Sequence, residues 1–193
     1  MRKLQSMDGF TLLEVLIATA IIAMVCGIGL SMTVSGLNAS NNVMARSDIQ
    51  ERAIFIVNYI AKELMLSSWK TITPTYSAPN SSNFISYQKI ASYNMETNQY
   101  QMGATNKFEL KTVDGKLCVL FNDKVFASGV STFAKGETSA TGDENGNGLK
   151  NEAGLCFEKI GNQSIVIRLT LEKTVKNKLI QEYAETLVHV RQP

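Results

Sequence analysis

The sequence predicts an α+β fold: a long amino-terminal helix followed by an antiparallel sheet head. Three observations predict it. Residues 10–34 form an apolar run interrupted by a single charged residue, Glu14. No proline occurs from Phe10 to Pro74, and apolar residues keep a helical rhythm through Leu64. Beyond residue 84 the period changes from helical to alternating, with turn dipeptides between the runs. Helix first and sheet second is an α+β order.

The apolar run is long enough, as a helix, to cross a hydrocarbon core of about 30 Å. Arg2 and Lys3 precede it and predict a cytoplasmic amino end, with the rest of the chain across the membrane. A secretory signal would have a shorter apolar core, no acid inside it, and a small residue on its far side. Here the small residue, Gly9, stands on the near side. A lipid-attachment reading of Cys26 is disfavoured because Met24 and Val25 are not the small residues such a signal needs. Glu14 is the anomaly. An ionised side chain in such a run costs roughly 2.5–3.5 kcal/mol on insertion scales, so a partner that neutralises it is implied. The alternative is a carboxylate that snorkels to the inner headgroups.

In the polar half of the helix, Ile49, Ala53, Val57, Ile60 and Leu64 fall on one stripe, widened by Ile54, Ile56 and Ala61, so one face packs on something. Asp48, Gln50, Glu51, Arg52, Lys62 and Glu63 are assigned to the remaining surface. Gly27, Gly29 and Gly36 weaken the middle of the helix, where it can bend or melt. The helix is expected to end between Leu66 and Thr71, because the residue before Pro74 is excluded from helical geometry. Residues 74–83, rich in Pro, Ser and Asn, read as a connecting loop.

In the head, residues 84–90 and 107–113 have strand character. Asp114-Gly115 is a two-residue hairpin signal whose returning strand is 116–122. Residues 155–160 and 164–174 form a second hairpin across Gly161-Asn162, with Ile165, Ile167, Leu169 and Leu171 on one face. The last strand, 181–191, places Ala184, Thr186, Val188 and Val190 on one face.

Gly9, Phe10, Thr11, Leu12 and Glu14 in register, with basic residues before and an apolar helix after, resemble the class III leader of type IV pilins and type II secretion pseudopilins. The resemblance implies that a prepilin peptidase cuts after Gly9 and methylates the new amino terminus on Phe10. It also supplies the missing partner, since Glu14 of one subunit would pair with the Phe10 ammonium of the next. The implied domains are a leader at 1–9, a transmembrane and assembly helix at 10–36, an amphipathic helix half at 37–72 and a globular antiparallel β head at 73–193. Residues 124–133, the Asp/Asn/Gly-rich stretch after them, and the closing strands resemble the tails of PilW-type minor pilins and J-type minor pseudopilins. The implied place is the bacterial inner membrane with the head periplasmic, then a pilus or pseudopilus. The implied partners are the peptidase, other major and minor pilins or pseudopilins, and the inner-membrane assembly platform. A membrane-anchored periplasmic binding protein that never polymerises is the alternative reading.

Two features of the head could carry chemistry. Asp143, Asn145, Asn147, Leu149 and Asn151 occupy calcium-loop positions, with glycine at the sixth, but Gly154 stands where a bidentate acid is expected and Glu152 lies two residues short of it. A flexible Gly/Asn loop is favoured over a weak calcium site, and no other cofactor is indicated. Cys118 and Cys156 fall in predicted strands of a domain expected in an oxidising compartment. A disulfide between them is favoured over two buried free thiols, and would stabilise by up to ~4 kcal/mol on the chain-entropy estimate. Cys26 reads as a small packing residue.

Nothing indicates an enzyme. His189 is the one histidine, and the sequence has no zinc-type cysteine spacing, no phosphate loop and no nucleophile elbow. Lysine and arginine total 19 against 17 acids, so no nucleic-acid surface is announced. Lys173, Lys176 and Lys178 read as a solvated turn, and Trp69 as an anchor between helix and sheet.

Overall fold

The computed structural model describes residues 11–74, 81–138, 142–161 and 163–192. Helix α1, Leu12–Met65, belongs in part to a unit of residues 1–44 and in part to a compact unit of residues 45–193. In the first unit the helix runs unbroken through Gly27, Gly29 and Gly36, and every residue from 11 to 44 except Asn42 is exposed. The mainly apolar surface that residues 15–34 expose is favourable in lipid or against other apolar helices and costly in water.

In the second unit, α1 buries Ala45, Ile49, Ala53, Ile56, Val57, Ile60 and Leu64, the expected stripe. Ile54, expected to widen it, is 46% exposed because one residue turns the side chain about 100° away from the neighbouring stripe position. The helix ends at Met65, one residue before the expected window. There the Ser67 amide and hydroxyl both donate to the Leu64 carbonyl, at 3.0 and 2.6 Å. A 3-10 turn, Trp69–Thr71, follows. Thr73 then bridges Ser86 through two backbone hydrogen bonds of 2.9 and 2.8 Å.

The strands are β1 (Ser81–Ser82), β2 (Phe84–Asn94), β3 (Gln99–Val113), β4 (Lys116–Phe121), β5 (Lys124–Ser128), β6 (Leu155–Ile160), β7 (Ser164–Val175) and β8 (Lys178–His189). They form two antiparallel sheets, ordered β2-β3-β4-β5 and β1-β6-β7-β8. The Asp114-Gly115 turn is as expected: Val113 pairs with Lys116, and both central residues have positive φ, 49° and 74°. Lys176 and Asn177 turn the β7–β8 hairpin in the same way, with φ of 47° and 65°, which puts part of the expected basic cluster on a turn.

Ile165, Ile167, Leu169 and Leu171 on β7 are all buried, as are Ala184, Val188 and Val190 towards the chain's end. These side chains, the buried stripe of α1, and Ile85, Tyr87, Phe108 and Val119 of the other sheet make one core cluster. Phe108 is its aromatic centre. Its ring stacks on Phe121 at 4.6 Å and on Tyr87 at 6.1 Å, and meets Tyr59 of α1 edge-on at 6.3 Å.

The β2–β3 hairpin is longer than its sequence pattern announces, continuing through residues 91–94 and 99–106. That part buries neither face, so apolar alternation is absent. Cross-strand contacts hold it instead. Tyr93 faces Tyr100 with ring centroids 5.0 Å apart, and the Ser92 hydroxyl donates to the Gln101 side-chain carbonyl at 2.8 Å.

Candidate functional site

Glu14 is the third residue of α1, and Thr11 is the residue just before the helix. The Thr11 amide and hydroxyl both donate to Glu14 Oε2 at 2.9 Å, and the Glu14 amide is 3.3 Å from Thr11 Oγ1. This is a reciprocal capping box, which satisfies donors that the first helical turn leaves orphaned. A carboxylate at a helix amino terminus also lies favourably against the helix dipole. The Thr-x-x-Glu spacing is legible in the sequence as a capping signal, although the charge problem at Glu14 draws attention first. Gly9 and Phe10, the expected processing residues, lie outside the described residues.

In the head, the loop of residues 142–154 satisfies its own polar groups. Asp143 Oδ1 accepts from the amides of Gly146 (2.7 Å) and Asn147 (3.1 Å), and its Oδ2 accepts from Gly148 at 2.7 Å. Asn145 Oδ1 accepts from the Asn147 amide at 3.1 Å, and Asn147 Oδ1 from the Leu149 amide at 2.9 Å. Both side-chain amides turn towards Glu152, with Asn145 at 3.2 Å and Asn147 closer. Asn151 donates its backbone N–H to Glu137 at 3.0 Å, and Leu149 packs inward.

Thus Asp143, Asn145, Asn147 and Glu152 are brought into one hydrogen-bonded loop, joined by buried Glu137, which the sequence reading passed over. Gly154, in the twelfth loop position, cannot carry a side chain: a Cβ there would lie 2.0 Å from the Ser131 carbonyl oxygen. Among the described residues, no group of three or more His, Cys, Asp or Glu side chains could hold a metal ion.

Glu152 is 4% exposed and leads to Arg168 on β7. The Arg168 guanidinium donates to Glu152 (3.3 Å), Glu158 (2.6 Å) and Glu185 (2.7 Å). Burial alone would lower its pKa, but the Glu158 and Glu185 carboxylates outweigh that and hold it above its ordinary range. Such an ion network braces β6, β7 and β8 from one face of their sheet.

The expected disulfide is corrected by the structure: Cys118 and Cys156 are both free and buried. They sit in different sheets, Cys118 on β4 and Cys156 on β6. The Cys118 thiol donates to the Lys116 carbonyl at 3.5 Å. Burial, and then the nearby Glu152 charge, push the Cys156 thiol up to about 12, so it stays protonated and unreactive at neutral pH. Cys26 is exposed on α1.

A second correction concerns Glu63, assigned to the solvent face by periodicity but buried in the fold. Its carboxylate accepts from the Tyr87 hydroxyl at 2.8 Å and from Lys89 Nζ at 2.9 Å, which locks the end of α1 to β2. Burial, and next the Glu63 hydrogen bond, raise the Tyr87 pKa well beyond its ordinary value. Trp69 is half-buried against the core with Lys159 Nζ 5.0 Å from its ring centroid, in keeping with an anchoring role. His189 is exposed on β8, where its Nδ1 lies 2.8 Å from Ser164 Oγ.

A family model described as the prokaryotic N-terminal methylation motif matches residues 6–30, the segment that contains Gly9, Phe10, Thr11 and Glu14. No curated protein and no solved structure matches the chain. Among the described helices, α1 is long and apolar enough to cross a membrane.

Proposed function

We propose from one premise, that this chain is a type IV pilin-like protein processed by a prepilin peptidase, a noncatalytic role as a minor pilin or pseudopilin. In this reading the chain is held in the inner membrane with its head periplasmic. It is cut after Gly9, methylated on Phe10, and assembled with major and minor subunits by the inner-membrane platform at or near a filament tip. Stacking the exposed apolar helix against its neighbours replaces lipid with another apolar surround, so extraction exposes little greasy surface to water.

The observation that carries the reading is Glu14, an acid on the exposed apolar helix, four residues beyond the expected new amino terminus and inside the matched motif. Intact-mass and terminal sequencing of the membrane-extracted chain test it. The expected product begins at N-methylated Phe10, and a chain still carrying residues 1–9 would overturn the reading. A tethered binding protein that never polymerises would need neither Gly9 nor Glu14.

We read the loop of residues 142–154 as a self-capped polar loop whose role is to close the face around Glu152 and Arg168, with weak calcium binding as the competing reading. Its side-chain carbonyls and the Asp143 carboxylate already accept amide donors, and Gly154 leaves no room for the missing acid. Millimolar calcium is therefore expected to leave the thermal midpoint of the head unchanged. A saturable rise in that midpoint, lost in Asp143→Ala, would favour the metal site.

A further inference from the structure

We propose that residues 145–148 are a latent modification site: Asn145-Gly146 and Asn147-Gly148 are deamidation-prone steps that Asp143 and Glu152 together hold unreacted in the folded head. This holds whether or not the chain assembles. They are the two Asn-Gly dipeptides of the sequence. Glycine has no Cβ to shield its nitrogen, so the asparagine side chain before it can close on the backbone with little obstruction. All four residues are exposed, and water reaches them.

The reaction makes two demands at each step. The glycine nitrogen must give its proton to hydroxide and attack the asparagine Cγ. The side-chain nitrogen must then take a proton from solvent and leave as ammonia. The new N–C bond closes a cyclic succinimide, and water opens either of its C–N bonds to give aspartate or isoaspartate. The net exchange is water in and ammonia out, with no change of oxidation state.

Each demand is opposed by one carboxylate. Asp143 holds both nucleophiles: its Oδ1 accepts the Gly146 N–H and its Oδ2 the Gly148 N–H, each at 2.7 Å. Removing either proton would set an amide anion directly against the carboxylate, at a separation where like charges repel strongly. Glu152 holds both leaving groups, accepting from Asn145 Nδ2 at 3.2 Å and from Asn147 Nδ2 closer. Expelling either nitrogen therefore breaks a charge-assisted hydrogen bond. Asn145 is also packed against the backbone at Gly136, where an added Cβ would lie 3.2 Å from its own Cβ. Reaction at either step would replace a donor to buried Glu152 by a carboxylate beside it, and so loosen the loop from Arg168.

The test follows deamidation of the full chain in micelles and, separately, unfolded in urea. Incubation in heavy-oxygen water labels the product, and peptide mapping by mass spectrometry reads each step. Asp114-Gly115, exposed in the β3–β4 turn, can form the same succinimide and serves as an internal clock. The folded wild type is expected to react at least about tenfold more slowly than the unfolded chain at both Asn-Gly steps, and Asp143→Ala to lose about that factor, the size of one hydrogen bond to a charged group. Isomerisation at Asp114-Gly115 should be the same in both proteins. Near-ultraviolet circular dichroism establishes that the variant folds; if it does not, Asp143→Asn, which removes the charge and keeps the shape, takes its place.

Equal rates in the folded and unfolded wild type would overturn the proposal. So would unchanged or slower reaction in the folded variant, the latter making Asp143 a base for the reaction. An equal acceleration at Asp114-Gly115 would also overturn it, because the whole head would then have loosened.

Discussion

Glu14→Ala is expected to leave membrane insertion and cleavage after Gly9 intact while lowering recovery of the cut subunit in filaments by on the order of a hundredfold or more. The size follows from leaving an ammonium unpaired in an apolar surround, where removing one partner of a buried pair costs roughly 3–5 kcal/mol. Insertion should survive because alanine is easier to place in lipid than an ionised acid. The first turn of α1 would lose the Glu14 arm of its capping box, a smaller effect of roughly 0.5–2 kcal/mol by analogy with cap deletions. Quantitative immunoblotting of sheared filaments against membranes measures the outcome. Wild-type recovery of the variant would remove intersubunit pairing as the reason for an acid at this position.

In the head, Phe108→Ala is expected to be the most damaging single truncation, destabilising by about 3–5 kcal/mol through lost transfer energy and the cavity left behind. Phe108 has no exposed surface, and its ring reaches Tyr59 of α1, Tyr87 of β2, Phe121 of β4 and Phe126 of β5. Its removal therefore loosens the helix from its sheet and the strands from one another. A loss of that size is a large part of the stability of a small domain. Denaturant unfolding of the full chain in micelles, followed by near-ultraviolet circular dichroism, is the measurement. A midpoint within error of wild type would mean that the aromatic cluster repacks around the gap.

Much of the architecture was legible because burial leaves a periodic trace in the residues that undergo it. Ile49, Ala53, Val57, Ile60 and Leu64 announced the inner face of α1, and Ile165 through Leu171 announced β7. Asp114-Gly115 announced its hairpin through the positive dihedrals it tolerates. The distal parts of β2 and β3 escaped notice for the converse reason: neither face there is buried, and backbone pairing carries no side-chain signature. The candidate site was half legible. The motif around Gly9, Phe10 and Glu14 could be read from residue order, while the hydrogen bonds that turn Glu14 Oε2 towards Thr11 could not.

The chain's order of residues determined by itself the apolar rod, the acid within it, the basic flank and the switch from helical to strand period. Each of these is a local property, set by neighbours within a few positions. The tertiary structure alone decided the partners of buried polar groups and of cysteines. Glu63 became a buried acceptor because β2 brings Tyr87 and Lys89 against the end of α1. Cys118 and Cys156 are free and buried, on strands that joined different sheets. Gly154 had to lack a side chain because the Ser131 carbonyl passes beside it. Contacts between residues far apart in sequence depend on how whole elements pack, and no local period records that packing.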